Sequence, residues 1–440
     1  MIGSNNMWPK VFLIFLAIHQ LFYWVYTWQI KEYRFDRWWN WLINDSKWWW
    51  KQFDVLKWYR PKVTIRTVLT LLVGLVTIWL MWPWWWFLGI ILGGLVTKIW
   101  EPLFNWQKKR IINKAKILMR KSKGVVIGIT GSFGKSTVKE MLVEVLSNKY
   151  RVVSTPKNIN SEIGVAQTVL GWSDNYEIAI VEMGAYKIGE IMAICDIVLP
   201  KYGVITGLGD QHLSLFGSIE NIKKAKYELI ECLPVIGKGW VIDKDFSINN
   251  AKNIKEDQNG VFFKYEGTKF EVPILGKQLI SNVIAVIKVA EELGMTKQEI
   301  AVRLKNLDVN NYWPKKVVVN ENLVVIDNSY NASVNSFLSL LDYVKTWKGY
   351  KKILVTPGMI ELSKNEEKDH ELVGVNLKEI DSVLLTNDKN FSQLNRWDNV
   401  KVVNLSKLLE EIKKNIYGKT LVIFKSRTPR SIIDQVINRK

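Results

Sequence analysis

Cysteine is nearly absent from this chain: Cys195 and Cys232 are the only two in 440 residues. That excludes a disulfide framework and a CxxC metal site, and a reducing, cytosolic setting is the simplest expectation for most of the chain. Histidine is scarce as well, with three residues. No Cys/His pair and no G-x-S-x-G elbow is present, so nothing points to an activated side-chain nucleophile. Acid is short of base: Asp and Glu total 42 against 61 Lys and Arg, a formal net charge of +19. Such a balance suits an anionic partner, whether nucleic acid, an anionic membrane surface or a phosphorylated substrate. The later part of the chain carries no helicase-type motif and no aromatic–basic face, which argues against nucleic acid.

Tryptophan is plentiful and uneven: 17 of the 22 fall at or before Trp106. Residues 11–28 carry no formal charge and sit at the short end of the length that spans a bilayer, with His19 and Gln20 in the middle. With no charged leader beyond Lys10 and no small-residue cleavage site, this run reads as an uncleaved anchor rather than a signal peptide. No charge lies between Arg66 and Lys98. Residues 68–82 and 84–96 flank Pro83 and read as a helical hairpin crossing twice, the alternative being a buried pair in a soluble core. Trp82, Trp84, Trp85 and Trp86 mark its tip, where indoles favour the membrane–water interface. Between the runs, Trp38, Trp41, Leu42, Trp49, Phe53 and Leu56 make one helix face suited to lying flat in that interface. After the hairpin, Lys108, Lys109, Arg110, Lys114, Lys116, Arg120, Lys121 and Lys123 follow with no acidic residue among them. The positive-inside rule then gives three crossings of the cytoplasmic membrane, a multi-pass protein with its remaining residues in the cytoplasm and basic groups on membrane lipid.

A different pattern starts at Gly124. Residues 125–129 are a short, β-branched apolar run, a buried strand by its length and composition. It enters Thr130-Gly131-Ser132-Phe133-Gly134-Lys135-Ser136, and a helix is expected over 137–146. Strand, glycine loop, Lys-Ser and helix form a phosphate loop: glycines turn backbone N–H groups toward phosphate, Lys135 adds charge, and the Ser136 hydroxyl can hold Mg²⁺. Ile129 stands where the strict Walker pattern has its first glycine.

The run T-G-S-F-G-K-S followed by T-V-K-E-M resembles the ATP loop of the Mur ligases, in the branch that adds D-alanyl-D-alanine to the muramoyl tripeptide. Five later segments agree in order: Thr155 to Gly164 (T-P-K-N-I-N-S-E-I-G), Val181 to Ala185 (V-E-M-G-A), His212-Leu213 with Phe216-Gly217-Ser218, Ala225-Lys226-Tyr227-Glu228, and Asp327 to Ala332 (D-N-S-Y-N-A). The likeness covers about Gly124 to the C-terminus. It implies an α/β fold: a P-loop-type central parallel-sheet domain at 124–307 and a C-terminal Rossmann-like α/β domain at 308–440. These would follow a transmembrane helical region at 1–104 and a basic juxtamembrane linker at 105–123. The residues agree, since strand and helix patterns alternate after a linker at 308–314, and Thr296 with Glu299 fits a capping box.

Roles follow from the resemblance residue by residue. ATP would be held by Thr130, Gly131, Ser132, Phe133, Gly134, Lys135, Ser136 and Thr137, with Lys315 and Asp327 from the C-terminal part. Asn282 would contact adenine, the alternative being a helix cap. Two Mg²⁺ ions are implied, held by Ser136, Glu182, His212 and a Lys226 carbamylated by CO₂; by pattern alone Lys226 is a surface lysine. Lys135, Lys226 and His212 are the catalytic set. Asn158 and Asn160 would sit near the γ-phosphate or cap a local turn, and Asn328, Tyr330 and Asn331 would meet substrate.

The implied reaction joins a muramoyl-peptide carboxylate to an amine such as D-Ala-D-Ala through an acyl-phosphate. Departures fall in the C-terminal part: Lys315 or Lys316 replaces an Arg, Asn328 replaces the second Asp of D-D-S-Y-N, Pro357-Gly358-Met359 replaces L-G-D-M, and Lys425-Ser426-Arg427 lacks the Gly of K-G-S-R. Another envelope or polyglutamate-type ligase, or a membrane scaffold that only binds or hydrolyses ATP, stands as the alternative. Members of this branch hold the UDP of their substrate on an N-terminal domain. No phosphate motif precedes Thr130 here, so the expectation is a substrate presented at the bilayer.

Overall fold

The computed structural model describes residues 86–156, 159–209, 216–312, 314–329, 334–359, 366–388, 391–395 and 397–438, together with Phe22 and Leu72. Two compact units divide the chain, Met1–Arg110 and Ile111–Lys440.

A single helix runs from Trp86 to Lys121 through Pro102. Its uninterrupted apolar stretch ends before Lys98, about 12 residues or ~18 Å, against the ~20 residues a bilayer core requires. Among the described residues no helix is long and apolar enough to cross a membrane, so the second arm of the expected hairpin is not supported as a span. The other expected crossings and the interfacial segment lie outside the described residues, Phe22 and Leu72 apart. The basic stretch expected as a juxtamembrane linker is helix up to Lys121. Ile112, Ala115 and Met119, at helical spacing, are buried, while Lys114, Arg120 and Lys121 stay in solvent.

Past that helix, β1 (Val125–Thr130), β2 (Val152–Ser154), β3 (Ile178–Glu182), β4 (Tyr202–Ile205) and β5 (Lys238–Val241) form a parallel sheet in the order β2-β3-β1-β4-β5. Its central strands are apolar at nearly every position because both faces are covered. Ile127, Ile129, Ile178 and Ile180 face the helices Lys135–Leu146 and Ile280–Glu292. Val126, Ala179 and Val181 face Glu162–Val169, Glu190–Val198 and Ile219–Glu231. The period of two sorts one strand into two cores.

A three-stranded antiparallel sheet, absent from the sequence expectation, follows: β6 (Lys252–Asp257), β7 (Gly260–Tyr265) and β8 (Thr268–Val272). Glu266 (φ 43°) and Gly267 (φ 87°) make the two-residue turn joining β7 to β8, with positive φ at both positions. Phe263 stacks on its cross-strand partner Phe270.

The expected capping box is present: Thr296 Oγ1 accepts the Glu299 N–H, and Glu299 Oε2 accepts the Thr296 N–H at 2.7 Å. The segment 308–314 is fastened rather than loose, since the buried Tyr312 donates its hydroxyl to Glu144 in the phosphate-loop helix.

The last sheet runs β13-β12-β11-β14-β10-β9, parallel except for its edge. Its strands are β9 (Lys315–Asn320), β10 (Leu323–Asn328), β11 (Lys351–Thr356), β12 (Ser382–Leu385), β13 (Val400–Val402) and β14 (Thr420–Lys425).

The cysteines correct the first reading. Cys195 in helix Glu190–Val198 is bonded to Cys232 at the C-cap of Ile219–Glu231, their Cα atoms 6.4 Å apart. Helix packing, not spacing, brings them together.

Candidate active site

The candidate site forms where the C-terminal ends of β1 and β3 meet, Ile129 standing level with Glu182. Beyond β1 the chain turns through Gly131 (φ 146°) and Gly134 (φ 82°), conformations that favour glycine. A Cβ on Gly131 would fall 2.1 Å from Thr206 Oγ1. The N–H groups of Ser132 and Phe133 donate to Gly207 O at 2.9 and 3.1 Å, and Thr130 Oγ1 donates to Met183 O at 2.8 Å, so the ends of β3 and β4 hold the loop. The helix starts at Lys135, two residues earlier than expected. Its first-turn amides have no partner within the helix, and with the helix dipole they suit an anion.

Lys135 Nζ donates to Gly131 O at 2.8 Å, folding back over the loop. Burial holds its pKa below the ordinary lysine value, against the pull of Glu182. Ser136 Oγ donates to Glu182 Oε2 at 2.9 Å, and Asn160 Nδ2 donates to Oε1 at 3.1 Å. The fully buried Lys139 ammonium lies 3.6 Å from Oε2 and donates to Thr155 O at 2.7 Å. Glu182 is itself buried, and its charge is tolerable there because a cation and two donors surround it.

Lys226 comes from helix Ile219–Glu231 and is 4% exposed, not the surface lysine that pattern alone suggests. The helix reaches the sheet closely because a Cβ on Gly128 would lie 2.7 Å from Leu229 Cδ1. Burial and the Lys135 charge push the Lys226 pKa down to about 7, against Glu190 and Glu228. A large share of this amine is therefore neutral at physiological pH, the form that reacts with CO₂. Its Nζ lies 5.9 Å from the Phe216 ring centre. Gly131, Ser132, Lys135, Asn160, Gly184, Ala185, Tyr186, Phe216 and Lys226 line one cleft.

Asn282 occupies the third position of helix Ile280–Glu292, whose cap is Leu279, so it is not the cap. A Cβ on Gly134 would lie 3.0 Å from Asn282 Nδ2, which puts this amide against the phosphate loop. Lys315, Asp327 and Asn328 lie in the last sheet and are not among the residues lining the cleft. Asp327, 1% exposed, accepts from Ser329 N and Oγ at 3.0 and 2.7 Å and from Arg430 Nη1 at 2.6 Å, and Lys315 stands opposite it across β9 and β10. Asn328 Nδ2 lies 3.5 Å from Ser336 Oγ, to which the buried Lys425 donates at 2.8 Å. Desolvation pushes the Lys425 pKa down to about 7.

His212, Asn158, Tyr330 and Asn331 lie outside the described residues. Sequence reasoning gave no role to Lys139, Tyr186, Phe216, Lys425 or Arg430. Lys139, Phe216 and Lys425 stand inside the quoted motif runs, and Lys139 also falls four residues after Lys135, on the same helix face.

The donor set fits ATP with a hard divalent cation. Ser136 Oγ and Glu182 Oε2 offer two oxygens beside an anion-binding helix start. Among the described residues no group of three His, Cys, Asp or Glu could hold a metal on its own. Mg²⁺ is commonly bound through one or two carboxylates, with phosphate oxygens and water completing the octahedron.

The family model for the Mur ligase middle domain matches residues 129–290. Over 331 residues the chain is 31% identical to the UDP-N-acetylmuramoyl-tripeptide--D-alanyl-D-alanine ligase of Bacillus subtilis, covering 68% of this chain and 72% of that protein. Among solved structures, MurF from Acinetobacter baumannii aligns with a TM-score of 0.67 at 22% identity, covering 76% of this chain and 81% of that one. MurF ligase from Thermotoga maritima in complex with ADP aligns with a TM-score of 0.64 at 23% identity, covering 75% and 83%.

Proposed function

The chain belongs to the Mur ligase family, and from that premise we propose that it is an ATP-dependent peptide ligase adding D-alanyl-D-alanine to a muramoyl tripeptide in peptidoglycan synthesis. The observation that carries this reading is the cleft lined by Lys135, Asn160 and Lys226, whose Asn160 is hydrogen-bonded to Glu182, the partner of Ser136. The substrate pair is the one in the name of the Bacillus subtilis relative. The tripeptide's terminal carboxylate attacks the γ-phosphorus of ATP; an O–P bond forms and ADP leaves. The amine then attacks the acyl carbon, loses a proton and expels phosphate. Lys135 and the first-turn amides hold the transferring phosphoryl group as its charge shifts. Ser136 and Glu182 would hold Mg²⁺, which neutralises phosphate charge when bound. A carbamate on Lys226, with His212, is the proposed second cation site, and the buried, partly neutral amine supports it. No side-chain nucleophile takes part: positioning and electrostatics supply the catalysis.

The test is phosphate release by wild type and Lys135→Ala with UDP-muramoyl tripeptide and D-Ala-D-Ala. Release should require both substrates and fall at least a hundredfold in the variant. Release indifferent to both would make the protein an ATPase scaffold. Release driven only by other amino acids or dipeptides would assign it to another amide ligase.

The N-terminal quarter supports a second element of the proposal: a multi-pass association with the cytoplasmic membrane that presents the carboxylate substrate at the bilayer. Its supports are the charge-free runs at 11–28 and 67–82, and the 17 tryptophans up to Trp106. The full chain should remain in membranes washed with alkaline carbonate, and its appearance in the wash would overturn this part.

A further inference from the structure

The segment from Gly184 to Tyr186 forms one part of the cleft wall, and Lys226, from helix Ile219–Glu231, forms another. The segment starts from a fixed point, since Gly184 N donates to Asn160 O at 2.7 Å. It then enters helix Glu190–Val198, whose cap is Gly189 in a left-handed conformation (φ 92°) and supplies no side chain. The cap comes instead from elsewhere in the sequence. Glu228, 5% exposed, accepts the Gly189 N–H on Oε1 and the Met192 N–H on Oε2, the latter at 2.9 Å. Within the segment, Tyr186 N donates to Glu190 Oε2 at 2.7 Å, so the wall is tied to the same helix start. Glu228 lies two residues beyond Lys226 on one helix. One side chain thus binds the element bearing Lys226 to the helix start that follows the Gly184–Tyr186 wall.

We propose that Glu228 is a positioning residue that sets the gap between Lys226 and the Gly184–Tyr186 wall, and so the fit of the carboxylate substrate in the cleft. A buried anion on two helix-start amides holds that geometry well, because it joins charge-assisted hydrogen bonds to the favourable end of the helix dipole. The phosphate loop is anchored separately, through Gly207 and Met183. Nucleotide binding should therefore not follow.

The inference rests on the ligase reading, and the experiment separates the two. Steady-state kinetics of the full chain would compare wild type, Glu228→Ala and Glu228→Gln, varying UDP-muramoyl tripeptide and ATP in turn. The expected result is a tenfold or larger rise in the tripeptide KM for Glu228→Ala, with the ATP KM within twofold of wild type. Glu228→Gln keeps one acceptor oxygen and should fall between. Amide exchange at Gly189 and Met192 should quicken in the same order. Failure of wild type to ligate would sink the functional reading. Ligation by wild type with an unchanged tripeptide KM in Glu228→Ala would sink the inference, as would KM values for ATP and tripeptide that rise together. Should Glu228→Ala not fold, Glu228→Gln decides by the same two KM values.

Discussion

Ser426 ends its strand badly, and replacing it with glycine should stabilise the protein. It has φ 60°, a left-handed conformation with a Cβ attached, immediately after the last residue of β14. The residue is wholly buried and its hydroxyl has no hydrogen-bond partner. Relief of the left-handed strain should contribute about 1–2 kcal/mol. Removal of an unsatisfied buried hydroxyl should add roughly 1–3 kcal/mol. Against these, glycine gives the unfolded chain more freedom, worth about 0.4–1 kcal/mol. Ser426→Gly should therefore gain ~1–5 kcal/mol, while Ser426→Ala, which keeps the strained Cβ, should gain only the hydroxyl share. The backbone bond from Thr428 N to Ser426 O survives both changes. Scanning calorimetry of the full chain reads the effect as a rise of about 2–4 °C in Tm per kcal/mol. A Ser426→Gly transition at or below the wild-type Tm would refute the reasoning. The Mur-type K-G-S-R run has glycine after its lysine, and the φ at Ser426 gives the physical reason for one there.

Three further outcomes follow from the geometry. Thr296→Ala removes the capping box that opens helix Lys297–Lys305 and should cost about 1 kcal/mol, measured as a fall in Tm, with ATP turnover unchanged. Glu182→Gln deletes the carboxylate beside Ser136 and should raise the Mg²⁺ concentration needed for half-maximal turnover at least tenfold; an unchanged Mg²⁺ titration would remove Glu182 from the metal site. Lys425 has a folded pKa of about 7 against an ordinary value of 10.5, so over that window the unfolded chain binds the proton and the folded one does not. Unfolding free energy should therefore rise with pH from about 7 toward 10.5, by up to ~1.4 kcal/mol per pH unit for this group, with the full penalty of a buried charge below that range. Lys425→Met should lower that slope, read from urea titrations at pH 7 and 9.

What sequence alone determined about this protein is what backbone chemistry dictates locally. The phosphate loop was legible because glycines, Lys135 and Ser136 must follow one another to wrap a phosphate, and the β1 run before them must be apolar on both faces. The capping box at Thr296 and four strands of the last sheet, β10, β11, β12 and β14, were legible for the same reason: their causes lie within a few residues. The β6–β8 sheet escaped because β6 is mostly charged and exposed, with little periodicity to read. Tertiary structure alone decided the rest. It buried Lys226, which looked like one surface lysine among several, by seating its helix on Gly128. It placed Lys139 against Glu182, closed Cys195 onto Cys232, and gave the helix at Glu190 a cap from Glu228, 38 residues further on. Each of these depends on which helix covers which strand. Burial, and with it the state of every charge in the cleft, is a property of packed neighbours rather than of the residues themselves.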